Sequence, residues 1–392
     1  MPSHTTHNTP ALRFPGYTGV WEQHKLEEYA SFLTGHGLSK ADLSPDGKQE
    51  CILYGNLYTD YGMIADKVVN KTNAHINNPV YSKFGDVLIP ASDTTPTGLA
   101  RATSIERSNV LLGGDINIIR PHDDINGSCL SLALNVNRKE LIRLIRGTTV
   151  KHIHNSEIKN IELCMPQSLE EQIQIAVTFK TLDDRINLHQ RQTQKLTELK
   201  QGLLQNMFPR EGESVPRLRF PGFTTKWKQQ KLGDIYNFHY GEFNNNPDNN
   251  GPYPVYGANG IIGGYTKFNA EDSSIIGHIG AAGYVKWGMG KHFVTYNGTI
   301  AKPAASSLDS KFGYYALSNK KIYKICAGSG RPFVSYADLN SIDMRIPNDL
   351  LEQKKISLLF TRLDDLLALH EQYIVKLTQL KKGLLQKMFP QD

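Results

Sequence analysis

The chain has 392 residues, 39% of them hydrophobic and 21% charged, with a formal net charge of +6. That length favours two or three domains over one, and the composition excludes a disordered or fibrous chain. No apolar run approaches the roughly 18 residues of a membrane span and the first ten residues are polar, which argues against a secretory signal; a cytoplasmic location with no membrane partner is expected.

The first recognisable element is Leu12-Arg13-Phe14-Pro15-Gly16-Tyr17-Thr18, followed by Trp21 and Lys25-Leu26. It returns 206 positions later as Leu218-Arg219-Phe220-Pro221-Gly222-Phe223-Thr224, with Trp227 and Lys231-Leu232. Residues 12–165 mix short β-rich runs, such as Asp86-Val87-Leu88-Ile89, with short helical ones at 140–145, and predict a mixed domain. Its 16 basic and 17 acidic residues nearly cancel, yet Arg138, Lys139, Arg143, Arg146 and Lys151 gather near its end. A local basic patch binds DNA even where the total charge does not; a solvated helix face is the alternative. The adjoining loop, Gly147 to His154, offers Lys151, His152 and His154 as polar contacts. The four cysteines, Cys51, Cys129, Cys164 and Cys326, have no zinc or redox spacing and read as buried thiols, so no metal site is expected.

Residues 166–209 form the next block. They match 347–390 at an offset of 181, with 23 of 44 aligned positions identical. Each block opens after a proline with a polar cap region and closes at Phe-Pro. The proline-free stretch between predicts a helix of about 60 Å. A heptad seam runs through Phe179, Leu182, His189, Leu196 and Leu203 in the first block, and through Phe360, Leu363, His370, Leu377 and Leu384 in the second. Steps of three and four sustained over this length predict that the two helices pair as an antiparallel coiled coil. His189 and His370 read as polar seam residues that fix register in preference to a metal or pH-sensitive pair. In Asp183-Asp184 and Asp364-Asp365 one carboxylate of each is expected in solvent and the other on a partner.

After a linker at 210–217 comes a second mixed domain, 218–346, and then the distal helix block 347–390. The material between the matching blocks is about 25 residues shorter in the second copy and shows little obvious similarity to the first. This domain holds the charge excess, 14 basic residues against 8 acidic, a natural surface for phosphate. Its glycine-rich loops supply the best candidates for base-edge contacts: Tyr256, Asn259, His278, Lys286, Tyr296, Asn297, Ser329, Arg331 and Phe333. Arg143 and Arg146 join Lys151, His152 and His154 as the candidates of the first domain. The fold class is therefore α+β: two globular mixed domains separated by two long antiparallel helices, a pseudo-two-fold internal repeat.

No nucleophile, metal or cofactor constellation is apparent. Gly290-Lys291 is followed by His292 and makes no phosphate loop; Asn78-Pro79-Val80-Tyr81 breaks the adenine-methyltransferase pattern at its second proline; and Pro45-Asp46 with Glu50 lacks the lysine of a nuclease motif. These absences point to a recognition subunit whose chemistry its partners supply. A standalone nuclease and a coiled-coil scaffold without nucleic acid are the competing classes.

Taken together, the segments Arg13-Phe14-Pro15-Gly16-Tyr17 and Arg219-Phe220-Pro221-Gly222-Phe223, the pairs Met165-Pro166 and Ile346-Pro347, the E-Q-x-x-I runs at Glu171-Gln172 and Glu352-Gln353, and the closing G-L-L-Q-x-M-F-P resemble the specificity subunits of type I restriction-modification enzymes. The resemblance covers nearly the whole chain. It implies two target-recognition domains, each reading half of a bipartite sequence in double-stranded DNA, with the paired helices fixing the spacer. It also implies that the helices dock two modification subunits, which restriction subunits then join. No cofactor is expected on this chain; S-adenosylmethionine and Mg/ATP belong to the partners, as does base flipping. A related subunit serving a fused restriction-methylation polypeptide is the nearest alternative. Base-contacting residues vary between members and do not carry over.

Overall fold

The computed structural model describes residues 9–243, 248–326 and 332–390. They fall into two compact units, one comprising the chain through Leu188 together with the segment from Tyr373 on, the other comprising 189–372.

In the first unit the chain runs β1 (Glu22–Lys25), α1 (Leu26–Tyr29), β2 (Ala30–Thr34), β3 (Gln49–Ile52), α2 (Asn56–Thr59), β4 (Ile64–Ala65), β5 (Asn70–Thr72), β6 (Asp86–Pro90), β7 (Ser92–Asp93), α3 (Pro96–Leu99), β8 (Thr103–Ile105), β9 (Leu111–Leu112), β10 (Ile116–Pro121), α4 (Gly127–Val136), α5 (Arg138–Leu144), β11 (Lys151–His152), α6 (Asn155–Ile158) and β12 (Glu162–Met165), then enters the long helix α7 (Leu169–Met207). Five strands form a sheet in the order β2-β10-β6-β8-β4. Its central strand β6 is buried along its whole length, as its apolar run demands when both faces are covered. Helix α4 packs on the sheet and is capped by Asn126, whose side chain accepts from the Cys129 amide at 2.9 Å.

In the second unit the order is β13 (Lys228–Lys231), α8 (Leu232–Ile235), β14 (Tyr236–Tyr240), β15 (Tyr253–Gly257), β16 (Gly260–Tyr265), β17 (Ala270–Gly277), β18 (Val285–Val294), β19 (Gly298–Pro303), α9 (Ser310–Asn319), α10 (Tyr336–Ser341) and β20 (Asp343–Ile346), leading into α11 (Leu350–Met388). The sheet is six-stranded, β14-β19-β17-β18-β15-β16, and α9 is capped by Asp309 as α4 is by Asn126.

The sequence shows little likeness between these two domains, but the folds agree. The strand β10 lies antiparallel between β2 and β6 as β19 lies between β14 and β17. β1 pairs with β12, Glu22 opposite Met165, as β13 pairs with β20, Lys228 opposite Ile346. Sheet pairing constrains which positions are apolar and leaves the choice of side chain free, so the repeat outlives its identity. The surplus of the first domain lies between β2 and β6 in the chain, where β3 and β5 join β9, from beyond β8, in a small sheet of order β5-β3-β9.

Each unit also holds part of both long helices. In the first, Phe179 and Leu182 near the start of α7 share a core with Met388 and Phe389 at the end of α11, and Leu377 and Leu384 pack against it. In the second, Phe360 and Leu363 share a core with Met207 and Phe208, and Leu196 and Leu203 pack there. Early residues of one helix meet late residues of the other in both units, so the pairing is antiparallel. The Nδ1 atoms of His189 and His370 are 2.8 Å apart, which requires one ring to donate and the other to accept, a polar contact within the seam. Asp183 and Asp364 each bind a lysine of the opposite helix, while Asp184 and Asp365 are exposed.

The cysteines correct one expectation. Cys51 and Cys129 are buried, but Cys164 and Cys326 are only half-buried. Among the described residues no helix is long and apolar enough to cross a membrane, and no group of three or more metal-ligating side chains occurs.

Candidate nucleic-acid interface

The repeated sequence motifs turn out to be two halves of one clamp. Arg13 donates to both oxygens of Glu171, Nε at 2.6 Å and Nη2 at 2.7 Å, and Arg219 does the same to Glu352 at 2.6 and 2.8 Å. Gly16 and Gly222, at φ +96° and +92°, make the turn beyond each arginine in a region that L residues rarely adopt. The next residue of each motif, Gln172 or Gln353, is fully buried. Gln172 Oε1 accepts from the Asn126 amide at 2.7 Å, and Gln353 Oε1 from the Asp309 amide at 2.8 Å. Both glutamines therefore tie the start of a long helix to the capped helix of the domain it follows. The motifs hold each domain on its helices and, among the described residues, make no hydrogen bond to a candidate binding loop.

In the second domain the candidate loops converge. The sheet curls until backbone beyond β14 meets the far end of β18: the amides of Gly241 and Glu242 donate to Gly298 and Val294 carbonyls at 2.9 and 3.0 Å. The His278 amide donates to Asn297 O at 2.7 Å, Gly280 to Pro332 O at 3.2 Å, and Thr295 to Tyr256 O at 2.9 Å. These bonds gather 240–243, 278–284, 295–297 and 332–335 onto one edge, with His278, Tyr296, Asn297 and Phe333 among them. His278 donates from Nδ1 to the Val334 carbonyl at 2.7 Å, which in the neutral ring leaves Nε2 as an acceptor. An acceptor fixed in this way can take the exocyclic amine of cytosine or adenine. Tyr296 is exposed, its ring 5.6 Å from that of Phe243, and Phe333 is exposed beside Ile279.

Asn259 lies in the turn between β15 and β16, and Lys286 is exposed on β18. Among the described residues, the side chains of Asn259, Lys286 and Asn297 have no intramolecular hydrogen-bond or ion-pair partner. Tyr256 has a different place: its ring belongs to a core with Ile275, Val294 and Ile300, and its hydroxyl donates to the Trp287 carbonyl at 3.3 Å. It supports the edge from beneath, because an aromatic ring in this curled sheet fills the space between strands. Ser329 and Arg331 lie outside the described residues. Sequence reasoning missed Tyr240 and Tyr336, whose rings stack at 3.9 Å, with Tyr240 4.3 Å from His278. An aromatic residue at a strand end was the only signal.

In the first domain the corresponding loop closes as a small hairpin, with Arg146 and His152 exchanging backbone hydrogen bonds at 2.9 and 2.8 Å. β11 pairs with β7, Lys151 opposite Asp93 and His152 opposite Ser92. The rings of His152 and His154 are parallel, 6.1 Å apart. The basic residues here are largely occupied: Arg143 binds Glu140, Arg146 bonds the carbonyls of Arg143 and Ile145, and Lys151 bonds Gly147 O at 2.6 Å.

Comparison with known proteins agrees with this architecture. The family model for the type I restriction modification DNA specificity domain matches residues 19–198 and again 224–379. A putative type I specificity subunit of Mycoplasma genitalium is 25% identical over 268 residues, covering 66% of this chain and 69% of that protein. The specificity subunit of the type I restriction enzyme MjaVIII of Methanocaldococcus jannaschii is 20% identical over 405 residues, covering 93% and 91%. The crystal structure of the type I system S subunit from M. genitalium shares the fold, with a TM-score of 0.76 at 20% identity over 98% of this chain and all of that one. With both domains matched by one model and repeated on one pair of helices, the chain belongs to the type I restriction-modification DNA specificity family.

Proposed function

We propose that this chain reads a bipartite sequence in double-stranded DNA, one half-site for each domain, and that the two long helices set the spacer and dock two modification subunits. The observation that carries the reading is the duplication of fold with divergence of loops: the same strands recur in the same order, while the loop that is Lys151-His152-Ile153-His154 in one domain ends as Phe333-Val334-Ser335 in the other. Different groups at one place on a common frame are what two readers of different base pairs need. Holding both readers on one body raises the effective concentration of the second contact once the first has formed.

Base flipping and methyl transfer belong in this reading to the modification subunits, with S-adenosylmethionine bound there, and restriction subunits with Mg/ATP complete the assembly. The expected compartment is the cytoplasm. The deciding experiment is to co-express the chain with the neighbouring modification subunit and map methylated adenines across the host DNA. One bipartite motif is the expected result. An intact complex without methylation argues for a scaffold, and metal-dependent cleavage by the purified chain alone argues for a nuclease.

A further inference from the structure

The first domain carries no net positive charge, and three of its candidate cations are engaged within the protein. Arg101 differs from them. It follows α3, half-buried, with its Cζ 6.0 Å from the centre of the Tyr58 ring. Among the described residues its guanidinium makes no ion pair and no hydrogen bond. A second arginine stands beside it: Arg138, exposed at the start of α5, reaches across to the Thr97 carbonyl within α3. Burial and the charge of Arg138 both work against the Arg101 charge, lowering its pKa.

The carboxylate of β7, the strand against which α3 packs, is engaged elsewhere. Asp93 already accepts from the Thr94 amide at 2.6 Å and from the Thr94 and Thr95 hydroxyls at 3.3 and 3.1 Å. Tyr58 is fixed from below by its hydroxyl, which donates to the Ser92 carbonyl at 2.6 Å. Two guanidinium groups that repel each other and have no ion-pair partner among the described residues, one over an aromatic face, are costly in the free protein and favourable around an anion. Their position is also informative: α3 packs on β7, β11 and α5, the elements that carry His152 and the basic cluster.

We propose that Arg101 and Arg138 form a seat for a backbone phosphate of duplex DNA, which orients the first domain so that the 151–154 loop faces base edges. The seat rests on the reading that this domain binds DNA. It contributes grip without sequence information, because phosphates are the same at every step. In the second domain the matching positions beyond α9 hold Lys320, Lys321 and Lys324, with Tyr284 and Tyr323 stacked at 4.9 Å. Each domain thus has its own cationic shoulder beside its variable loop.

The test is fluorescence anisotropy of a labelled 30-base-pair duplex of random sequence, titrated with the full chain across a potassium chloride series. Each lost phosphate contact lowers the slope of log affinity against log salt by about 0.9, so Arg138→Gln is expected to reduce it by about one and the Arg101→Ala, Arg138→Ala pair by about two. The pair is expected to weaken binding about equally for duplexes of any sequence, and Arg101→Lys with Arg138→Lys to restore most of the slope. Arg138→Gln alters only an exposed side chain, so it keeps the test open if the double variant does not fold. A wild-type slope in Arg138→Gln and in the lysine pair's alanine counterpart overturns the seat while DNA binding stands; absence of salt-dependent binding by the wild-type chain overturns both.

Discussion

Lys381 places its Nζ 2.5 and 2.7 Å from the two carboxylate oxygens of Asp183, and Lys200 makes the equivalent contact with Asp364. Both lysines and both aspartates are only part-exposed, Asp364 the most at 34%. Replacing Lys381 by Met leaves Asp183 partly desolvated without a partner. The expected loss is about 1–2 kcal/mol, read from urea unfolding. Lys200→Met is expected to cost a similar amount, and an unchanged midpoint for both would show that these contacts contribute nothing.

The clamp predicts a larger effect. Glu171 and Glu352 are each 1% exposed and each faces one arginine. Glu171→Gln keeps the size but strips the charge, leaving Arg13 with its desolvation uncompensated. A loss of about 3 kcal/mol is expected, concentrated in the first unit and visible as faster amide exchange in α4. Glu352→Gln is expected to move the protection loss to α9.

A pH dependence follows from His292. The ring is buried, Nδ1 donates to the Gly290 carbonyl at 2.8 Å, and Nε2 is 3.0 Å from the Ser273 hydroxyl. Burial lowers its pKa below the usual 6.5 despite the opposing pull of the Gly290 carbonyl and Asp272. The unfolded chain therefore binds a proton first as pH falls. The contribution of this group to stability is complete above about pH 6.5 and is lost as pH falls through the lowered folded value. Thermal unfolding at a series of pH values is expected to show this decline, and His292→Gln to flatten it. A decline of equal size in the variant would assign it to other groups.

At the level of function, His278→Ala and Asn297→Ala are expected to relax methylation at one half-site about ten- to a hundredfold and leave the other half-site unchanged. Methylome mapping of each variant decides this. Loss at both half-sites would mean that the two domains do not read separately.

Removing one heptad from both long helices is expected to change the accepted spacer while both half-sites persist. If the half-sites themselves change, the helices do more than set a distance. Leu182→Asp together with Leu363→Asp is expected to disrupt assembly before base choice, since both side chains are buried at the seam.

The helices were legible from sequence because Phe179, Leu182, Leu196 and Leu203, with their counterparts 181 positions on, keep a period that only a helix seam satisfies. The strand at 86–90 was legible too, since its run Val87-Leu88-Ile89 is what a strand buried on both faces requires, while the buried Asp86 at its start is met by Arg120. The agreement of the two domains was hidden, because pairing between β10 and β6 or β19 and β17 constrains hydrophobicity and not identity. The candidate edge was legible only as separate loops. Nothing local to Tyr240 or His278 states that their rings will touch across 37 intervening positions. Tyr256 misled for the same reason: a tyrosine at the head of the glycine-rich turn 257–260 looks exposed until the curl of the sheet places it inside.

One pair of hydrogen bonds has a topological consequence. The Leu218 amide donates to the Asn206 carbonyl at 2.8 Å, across the short link that joins the central helix to the second domain. The Leu12 amide donates to the Lys387 carbonyl at the same distance, yet no short link joins those two residues. The same junction thus forms once with a covalent tether and once without it. The junction at the end of each long helix therefore holds by its own hydrogen bond and packing, and a covalent tether is not what forms it.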